Sequence, residues 1–196
     1  MKKNIKVNAA ILIIGNEILS GRTQDTNTST LATWLNSIGV KVGEVRVIPD
    51  VEKTIVDTVT LLKKNYNYVF TTGGIGPTHD DITAKSVSKV FSLNYEIHKE
   101  AFKILKAYYK PGEFNEGRQK MTWMPSNANL ILNPTSGAPG FSVENVFCLP
   151  GVPSILKSML GGLKHKIIGG QPIKSLTISL RTVESEIANS LTKVQD

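Results

Sequence analysis

Ala9 to Ile14 is a continuous apolar run closed by Gly15, the pattern of a strand buried on both faces of a parallel sheet. From Asn27 to Ile38 the apolar residues Leu31, Trp34, Leu35 and Ile38 fall at helical spacing, and Gly39 is a natural stop. Val40 to Ile48 then mixes Val42, Val45 and Val47 with polar residues, as a second strand would. Pro49-Asp50 predicts a turn, with Asp50 capping a helix that carries Val51, Ile55, Val59 and Leu62 on one face. Tyr68 to Thr72 reads as a third strand running into a glycine loop. Another helix is predicted from about Asp81, with Ile82, Val87, Val90 and Phe91 inward. The order β-α-β-α-β-α implies right-handed crossovers and an α/β fold with a mostly parallel sheet.

The second half is less regular. His98 to Tyr109 reads as a helix, with Ala101, Phe102, Leu105 and Tyr109 on its apolar side and Lys110-Pro111-Gly112 as its stop. After a short segment around Arg118, strands are predicted at Leu130–Leu132, Phe141–Val143 and Val146–Leu149, the last two joined through Glu144-Asn145. Pro150-Gly151-Val152-Pro153 opens a helix from about Ser154. Beyond Gly169-Gly170 the texture changes: Leu176, Ile178 and Leu180 alternate like a strand, and Glu184 to Val194 reads as a helix. This divides the chain into a domain over 1–170 and a short βα extension over 171–196. A lone strand and helix bury little by themselves, so the extension either docks on the main domain or begins a second module.

The chain has 196 residues, 40% of them apolar and 20% charged, which suits one ordinary globular domain with a small appendage. Its single cysteine, Cys148, sits in the apolar run Val146–Leu149. An intramolecular disulfide and a cysteine zinc site are therefore excluded, and the thiol reads as a small buried hydrophobe. Lys2 and Lys3 before Ala9–Ile14 imitate a signal peptide, but Gly15-Asn16-Glu17 cuts the apolar run short. No stretch has the length of a membrane span, and a cytoplasmic location with no membrane partner is expected. The net charge is +7, from 23 Lys plus Arg against 16 Asp plus Glu. Such a surface attracts anions in general. The lysines at 2, 3 and 6, at 103, 106 and 110, and at 157, 164 and 166 are scattered without interleaved aromatics, so solvated faces explain most of them and nucleic acid is not the expected partner.

Two loops follow apolar strands of the same predicted sheet: Gly15-Asn16-Glu17, and Thr71-Thr72-Gly73-Gly74-Ile75-Gly76-Pro77-Thr78-His79-Asp80-Asp81. In a parallel sheet both open onto the carboxyl edge, where ligands bind. Gly73, Gly74 and Gly76 bare the backbone, their N–H groups can form an anion nest, and the following helix adds its positive end. That is a phosphate seat without a lysine, although a tight turn alone also asks for these glycines. The loop lacks the Gly-Lys-Ser/Thr of a P-loop and the third glycine of a dinucleotide fingerprint. Asp80 and Asp81 beside a phosphate call for a bridging cation such as Mg²⁺, with Glu17 completing the metal site, unless one aspartate simply caps the helix. His79 fits a surface position or a ligand contact. Asn27 and Thr26 either cap the first helix or reach ligand, and Arg118 is a phosphate clamp or a surface residue. A further cluster stands at Ser136-Gly137-Ala138-Pro139-Gly140, and Pro150-Gly151-Val152-Pro153-Ser154, a glycine-containing loop opening a helix, reads either as a second anion seat or as ordinary punctuation.

Gly15 to Gly21, Thr71 to Thr83, Asn133-Pro134, Gly137 to Phe141 and Leu149 to Pro153 resemble, in order, the motifs of the molybdopterin-binding, MoaB/Mog-like domain. Within that family they are most similar to the N-terminal domain of the CinA proteins. The resemblance implies a three-layer α/β/α fold that binds a pterin phosphate or a nucleotide diphosphate, and a homo-oligomer, dimer or trimer. CinA-type domains are associated with metal-dependent pyrophosphatase activity on ADP-ribose-like dinucleotides, with Mg²⁺, Co²⁺ or Ni²⁺ as the metal. A related domain is linked to FAD hydrolysis. By this resemblance Asp81, Asp80 and Glu17 would handle metal and water. Gly15, Asn16, Asn27, Thr72, Gly73, Gly74, Gly76, Pro77, Thr78, Ser136, Gly137, Pro150, Gly151, Pro153 and Ser154 would surround the ligand. Asn16 departs from the Asp or Thr often found in that position. A carrier of molybdopterin without chemistry would need the same seat, so the sequence leaves enzyme and binding module both open.

Overall fold

The computed structural model describes residues 7–172 and 176–195; the lysines at 2, 3 and 6 lie outside them. A six-stranded sheet forms the middle layer, its strands lying in the order β2 (Val40–Ile48), β1 (Val7–Ile14), β3 (Tyr68–Thr72), β8 (Val146–Leu149), β7 (Gly140–Val143) and β6 (Asn129–Ile131). β1 pairs in parallel with β2 and β3, and β3 pairs in parallel with β8. β7 and β6 complete the sheet antiparallel. The turn at Glu144-Asn145 holds because Asn145 Nδ2 donates to the carbonyls of Lys63 and Tyr66, both at 3.0 Å.

Strand alternation sorts the core into two halves. Ala10, Leu12 and Ile14 of β1 face α3 (Glu52–Asn65) and α4 (Thr83–Val90), meeting Ile55, Val59, Leu62 and Val87. Ala9, Ile11 and Ile13 face α2 (Asn27–Ser37) and α7 (Pro153–Leu163), meeting Leu31, Leu35, Leu156 and Leu163. Phe70 anchors that second half, stacked on Phe147 at 5.1 Å and edge-on to Trp34 at 6.1 Å. The architecture is the three-layer α/β/α arrangement expected from the pattern.

The departures are local. A four-residue turn, α1 (Asn16–Leu19), follows β1. β4 (Tyr95–Ile97) and β5 (Trp123–Pro125) form a second, antiparallel sheet. Along the chain its two strands bracket α5 (Lys99–Tyr108) and α6 (Glu116–Lys120). Among the described residues, 176–182 pair with no strand, and Leu176, Ile178 and Leu180 are 87%, 72% and 62% exposed. The predicted strand there is corrected: alternation alone gives no ladder without a neighbour to bond. The helix that follows, α8 (Glu184–Gln195), is present.

Candidate functional site

The register brings the carboxyl ends of the parallel strands level. Ile13 pairs with Val47 on one side and Thr72 on the other, and Thr72 pairs with Leu149. The loops beginning at Gly15, Pro49, Gly73 and Pro150 therefore leave the same edge, where a parallel sheet places its ligands. Hydrogen bonds lace them together: Gly15 N–H donates to the Ile48 carbonyl and Gly73 N–H to the Leu149 carbonyl, each at 3.1 Å. Asn16 N–H donates to Asp50 Oδ2 at 2.8 Å. Asp50 thus does not cap α3, whose cap position is Val51 with no side-chain bond. It serves the first loop instead.

The glycine loop is built differently from a simple strand–nest–helix. Gly73 and Gly74 have φ of 96° and 69°, the left-handed region that glycine alone enters freely. Thr83, fully buried, folds the loop back, its N–H reaching the Gly74 carbonyl at 2.9 Å and its hydroxyl the Gly73 carbonyl at 3.0 Å. α4 starts at Thr83, not at Asp81, and no side chain caps it, so neither aspartate is a helix cap. The Asp81 carboxylate accepts the Thr78 N–H at 2.8 Å and the Thr78 hydroxyl. It lies across Gly76, where a Cβ would come within 2.8 Å of Oδ2. Gly73 N–H is spent on the sheet. Among the described residues, no protein acceptor meets the N–H groups of Gly74, Ile75 and Gly76, and these are what remains of the expected nest.

A cleft of about 500 Å³ opens over this loop. Glu17, Gly73, Gly74, Gly76, Pro77 and Asp81 line one side, and Ser136, Pro150, Gly151 and Pro153 the other. Thr23, Ile75, Met121, Val152 and Ile155 add a largely apolar wall. Asn133 organises the facing loop: its Oδ1 accepts the N–H groups of Thr135 (3.0 Å) and Ser136 (3.1 Å), and its Nδ2 donates to Ser136 Oγ (2.7 Å). Thr72 and Asn27 border a small chamber beside the cleft. Gly15, Asn16, Thr78 and Ser154 lie outside the cleft lining, as does Asp80, which is exposed like His79. Gly137 is packed under the Tyr108 ring, 2.7 Å from where its Cβ would stand. Arg118 is turned to the Tyr109 ring (4.1 Å) and the Glu113 carbonyl (2.5 Å), not to the cleft.

Two residues escaped the sequence reading. Asp50 shares the field of Glu17, Asp80 and Asp81; burial, then those charges, lift its carboxyl above the usual aspartate range despite the Asn16 N–H. The carboxyl-edge rule applied to β2 would have found it. Lys120 donates to the Thr78 carbonyl and lines a small pocket with Asp81, a long-range contact with no local signal. Among the described residues no three His, Cys, Asp or Glu side chains converge as a metal cluster.

Residues 10–169 match the family described as the probable molybdopterin binding domain. The chain belongs to this family. A protein of Archaeoglobus fulgidus is 32% identical over 94% of this chain and 79% of its own length. A CinA-like protein of Geotalea uraniireducens is 36% identical over 77% of this chain, but only 37% of its own length is spanned. The structure of CinA from Thermoplasma acidophilum, a protein described as of unknown function, superposes with a TM-score of 0.77 at 30% identity, covering 82% of this chain and 98% of that one. MoaB of Pyrococcus furiosus, a tungsten cofactor synthesizing protein, shares the fold at a TM-score of 0.53 and 19% identity, over 83% and 92% of the two chains. Thus the MoaB/Mog-like architecture and the CinA likeness both hold. No helix among the described residues is long and apolar enough to cross a membrane.

Proposed function

We propose that the carboxyl-edge cleft binds a phosphate-bearing nucleotide or pterin and hydrolyses the pyrophosphate of an ADP-ribose-like dinucleotide with the help of a divalent metal. The observation that carries this reading is the placement of Asp81 and Glu17 in one cleft with the unpaired N–H groups of Gly74, Ile75 and Gly76. Mg²⁺ is commonly held by one or two carboxylates, with phosphate oxygens and waters completing its shell, so these residues fit it. Asp81 and Glu17 would hold the metal, while exposed Asp80 would act only as a nearby charge. A bound divalent cation would neutralise phosphate charge and make its water more acidic. The loop N–H groups would donate to the phosphate oxygens and to the charge that grows on them during attack. Ser136 and Gly151 would bound the far phosphate, and Ile75, Met121, Val152 and Ile155 would take the flat ring system. Water adds across one P–O–P bond, giving AMP and a ribose phosphate.

A second reading is favoured by the lack of a three-residue acidic or histidine cluster among the described residues: retention of molybdopterin or a nucleotide without chemistry. Incubation with ADP-ribose, FAD and molybdopterin, with and without Mg²⁺ or Co²⁺, followed by mass spectrometry separates the two. AMP that forms only with metal and disappears in Asp81→Ala supports hydrolysis, and turnover unchanged in that variant rules out the assignment. Tight retention without product selects the carrier.

A further inference from the structure

The sheet has two open edges. β6 is three residues long, whereas β2 runs for nine and bonds only to β1 among the described residues. Gly15 N–H donates to the Ile48 carbonyl, so the backbone of Ile48 faces β1, and by strand alternation that of Arg46 and Glu44 does too. The N–H and C=O groups of Val45 and Val47 therefore point away from the sheet, where an edge strand offers them to another strand. Their side chains are open as well, 43% and 38% exposed. They stand on the face of their β1 partners Ile11 and Ile13, the face that α2 covers.

Exposed edges are commonly protected by charge, and β2 carries Glu44 and Arg46. Their signs are opposite. The Arg46 guanidinium pairs with the Glu44 carboxylate in the same chain, and Tyr66 OH donates to Glu44 Oε2 at 2.9 Å. The two charged side chains still remain 36% (Arg46) and 28% (Glu44) exposed.

This pattern fixes how a second β2 can pair with the first. A two-fold axis normal to the sheet makes the strands antiparallel. Outward backbone groups meet outward groups only where some residue stands opposite its own copy. With Glu44 or Arg46 at that centre, like charges face each other, which is destabilising. Only a centre at Val45 sets each Glu44 opposite the partner's Arg46. Val47 then lies opposite Gly43, which β1 skips in its own pairing and which brings no side chain into the joint.

We propose that this chain forms a two-fold dimer through antiparallel β2 edges centred on Val45, with Glu44 and Arg46 of each copy paired across the joint. The partner is a second copy because the charge pattern complements itself. The two sheets run on as one, and since the strands are antiparallel the two clefts open at opposite ends. The dimer does not depend on the hydrolytic reading.

Light scattering after size-exclusion chromatography is expected to give the parent chain twice its 21.4 kDa mass, falling on dilution. Val45→Lys sets two like charges opposite each other and weakens the dimer about tenfold or more. Glu44→Arg and Arg46→Glu, each with native circular dichroism, are monomeric where the parent is dimeric. Mixed in equal amounts they reassociate, since every facing pair is again opposite in sign. A merely structural effect of either substitution is not reversed by adding the other.

Register is read by cysteine cross-linking, because the single native thiol, Cys148, is buried. Val45→Cys places two thiols on a hydrogen-bonded pair with Cα atoms about 5.5 Å apart, within disulfide reach, and oxidises to a covalent dimer. Val47→Cys, roughly 14 Å from its own copy, does not. A parent monomeric at every concentration, a dimer indifferent to Val45→Lys, mixed charge variants that stay apart, or equally ready cross-linking through Val47→Cys would each overturn the proposal. So would a dimer lost in Ile178→Lys but kept in Val45→Lys, which assigns the interface to the exposed segment 176–182 instead.

Discussion

Replacing Gly73 by alanine perturbs the point where the sheet hands over to the ligand loop. Gly73 has φ of 96°, and its Cβ would stand 2.2 Å from the Ile14 carbonyl oxygen. A carbon–oxygen contact relaxes to roughly 3.3 Å, so the ends of β1 and β3 must part by about 1 Å. Left-handed backbone costs an alanine roughly 1–2 kcal/mol. Separation strains the 3.1 Å bond from Gly73 N–H to the Leu149 carbonyl, forfeiting about 1 kcal/mol. The overlap itself adds about 1 kcal/mol or more, and the stiffer unfolded chain returns about 0.4–1 kcal/mol. The net loss is roughly 2–3 kcal/mol, a fall in Tm of about 5–10 °C for a chain of this size. Gly161 supplies the control: it lies in α7 and a Cβ there meets nothing within 4 Å. Gly161→Ala therefore stabilises by up to about 1 kcal/mol. Thermal and urea unfolding of both variants give the two signs. A Gly73→Ala midpoint within about 1 °C of the parent's, or moving upward with Gly161→Ala, refutes the close-packed account of this loop.

Two further outcomes follow from the charges and the buried thiol. Burial and the charges of Glu17, Asp80 and Asp81 raise the Asp50 carboxyl above its ordinary range. The native state then binds this proton more tightly than the unfolded chain, so its contribution to stability is complete in acid and is lost as pH rises through the raised pKa. Asp50→Asn should match the parent's Tm below the ordinary aspartate range and exceed it near neutrality; a variant less stable at pH 7 contradicts this. Burial pushes the Cys148 thiol up to about 12. Iodoacetamide should spare the native protein at neutral pH and label Cys148 only in denaturant, and stoichiometric labelling with native circular dichroism would show the burial to be wrong.

The strands and helices around the parallel core were legible because burial on two faces leaves an unambiguous signature. Ala9–Ile14 had no polar residue to suggest an edge, and Leu31, Leu35, Ile55, Val59 and Leu62 repeat at helical spacing into the two core halves. β4 and β5 were not legible: each has three residues, and they are stabilised by one another through pairs such as Ile97 with Trp123 rather than by a local pattern. The segment 176–180 failed in the opposite direction, since its alternation is present but the residues stay exposed.

The site divides along a similar line. The loop from Gly73 to Asp81 was marked by glycines whose positive φ and close contacts only glycine permits. The roles inside it were not readable, because the back-bonds from Thr83 and the Thr78–Asp81 pairing depend on how the loop folds in space. Asp80 and Asp81 are adjacent in sequence, yet only Asp81 lines the cleft. Gly137 looked like a ligand-loop glycine and is instead the seat of the Tyr108 ring.

The central claim, that ligand occupies the carboxyl-edge cleft, is tested most directly by hydrogen exchange read by mass spectrometry, with and without ADP-ribose and Mg²⁺. The account predicts slower exchange in peptides spanning 73–82, 133–139 and 150–155, with α5 and α8 unchanged. Protection confined to α5, α8 or the β4–β5 sheet, with the glycine loop exchanging as before, would contradict it.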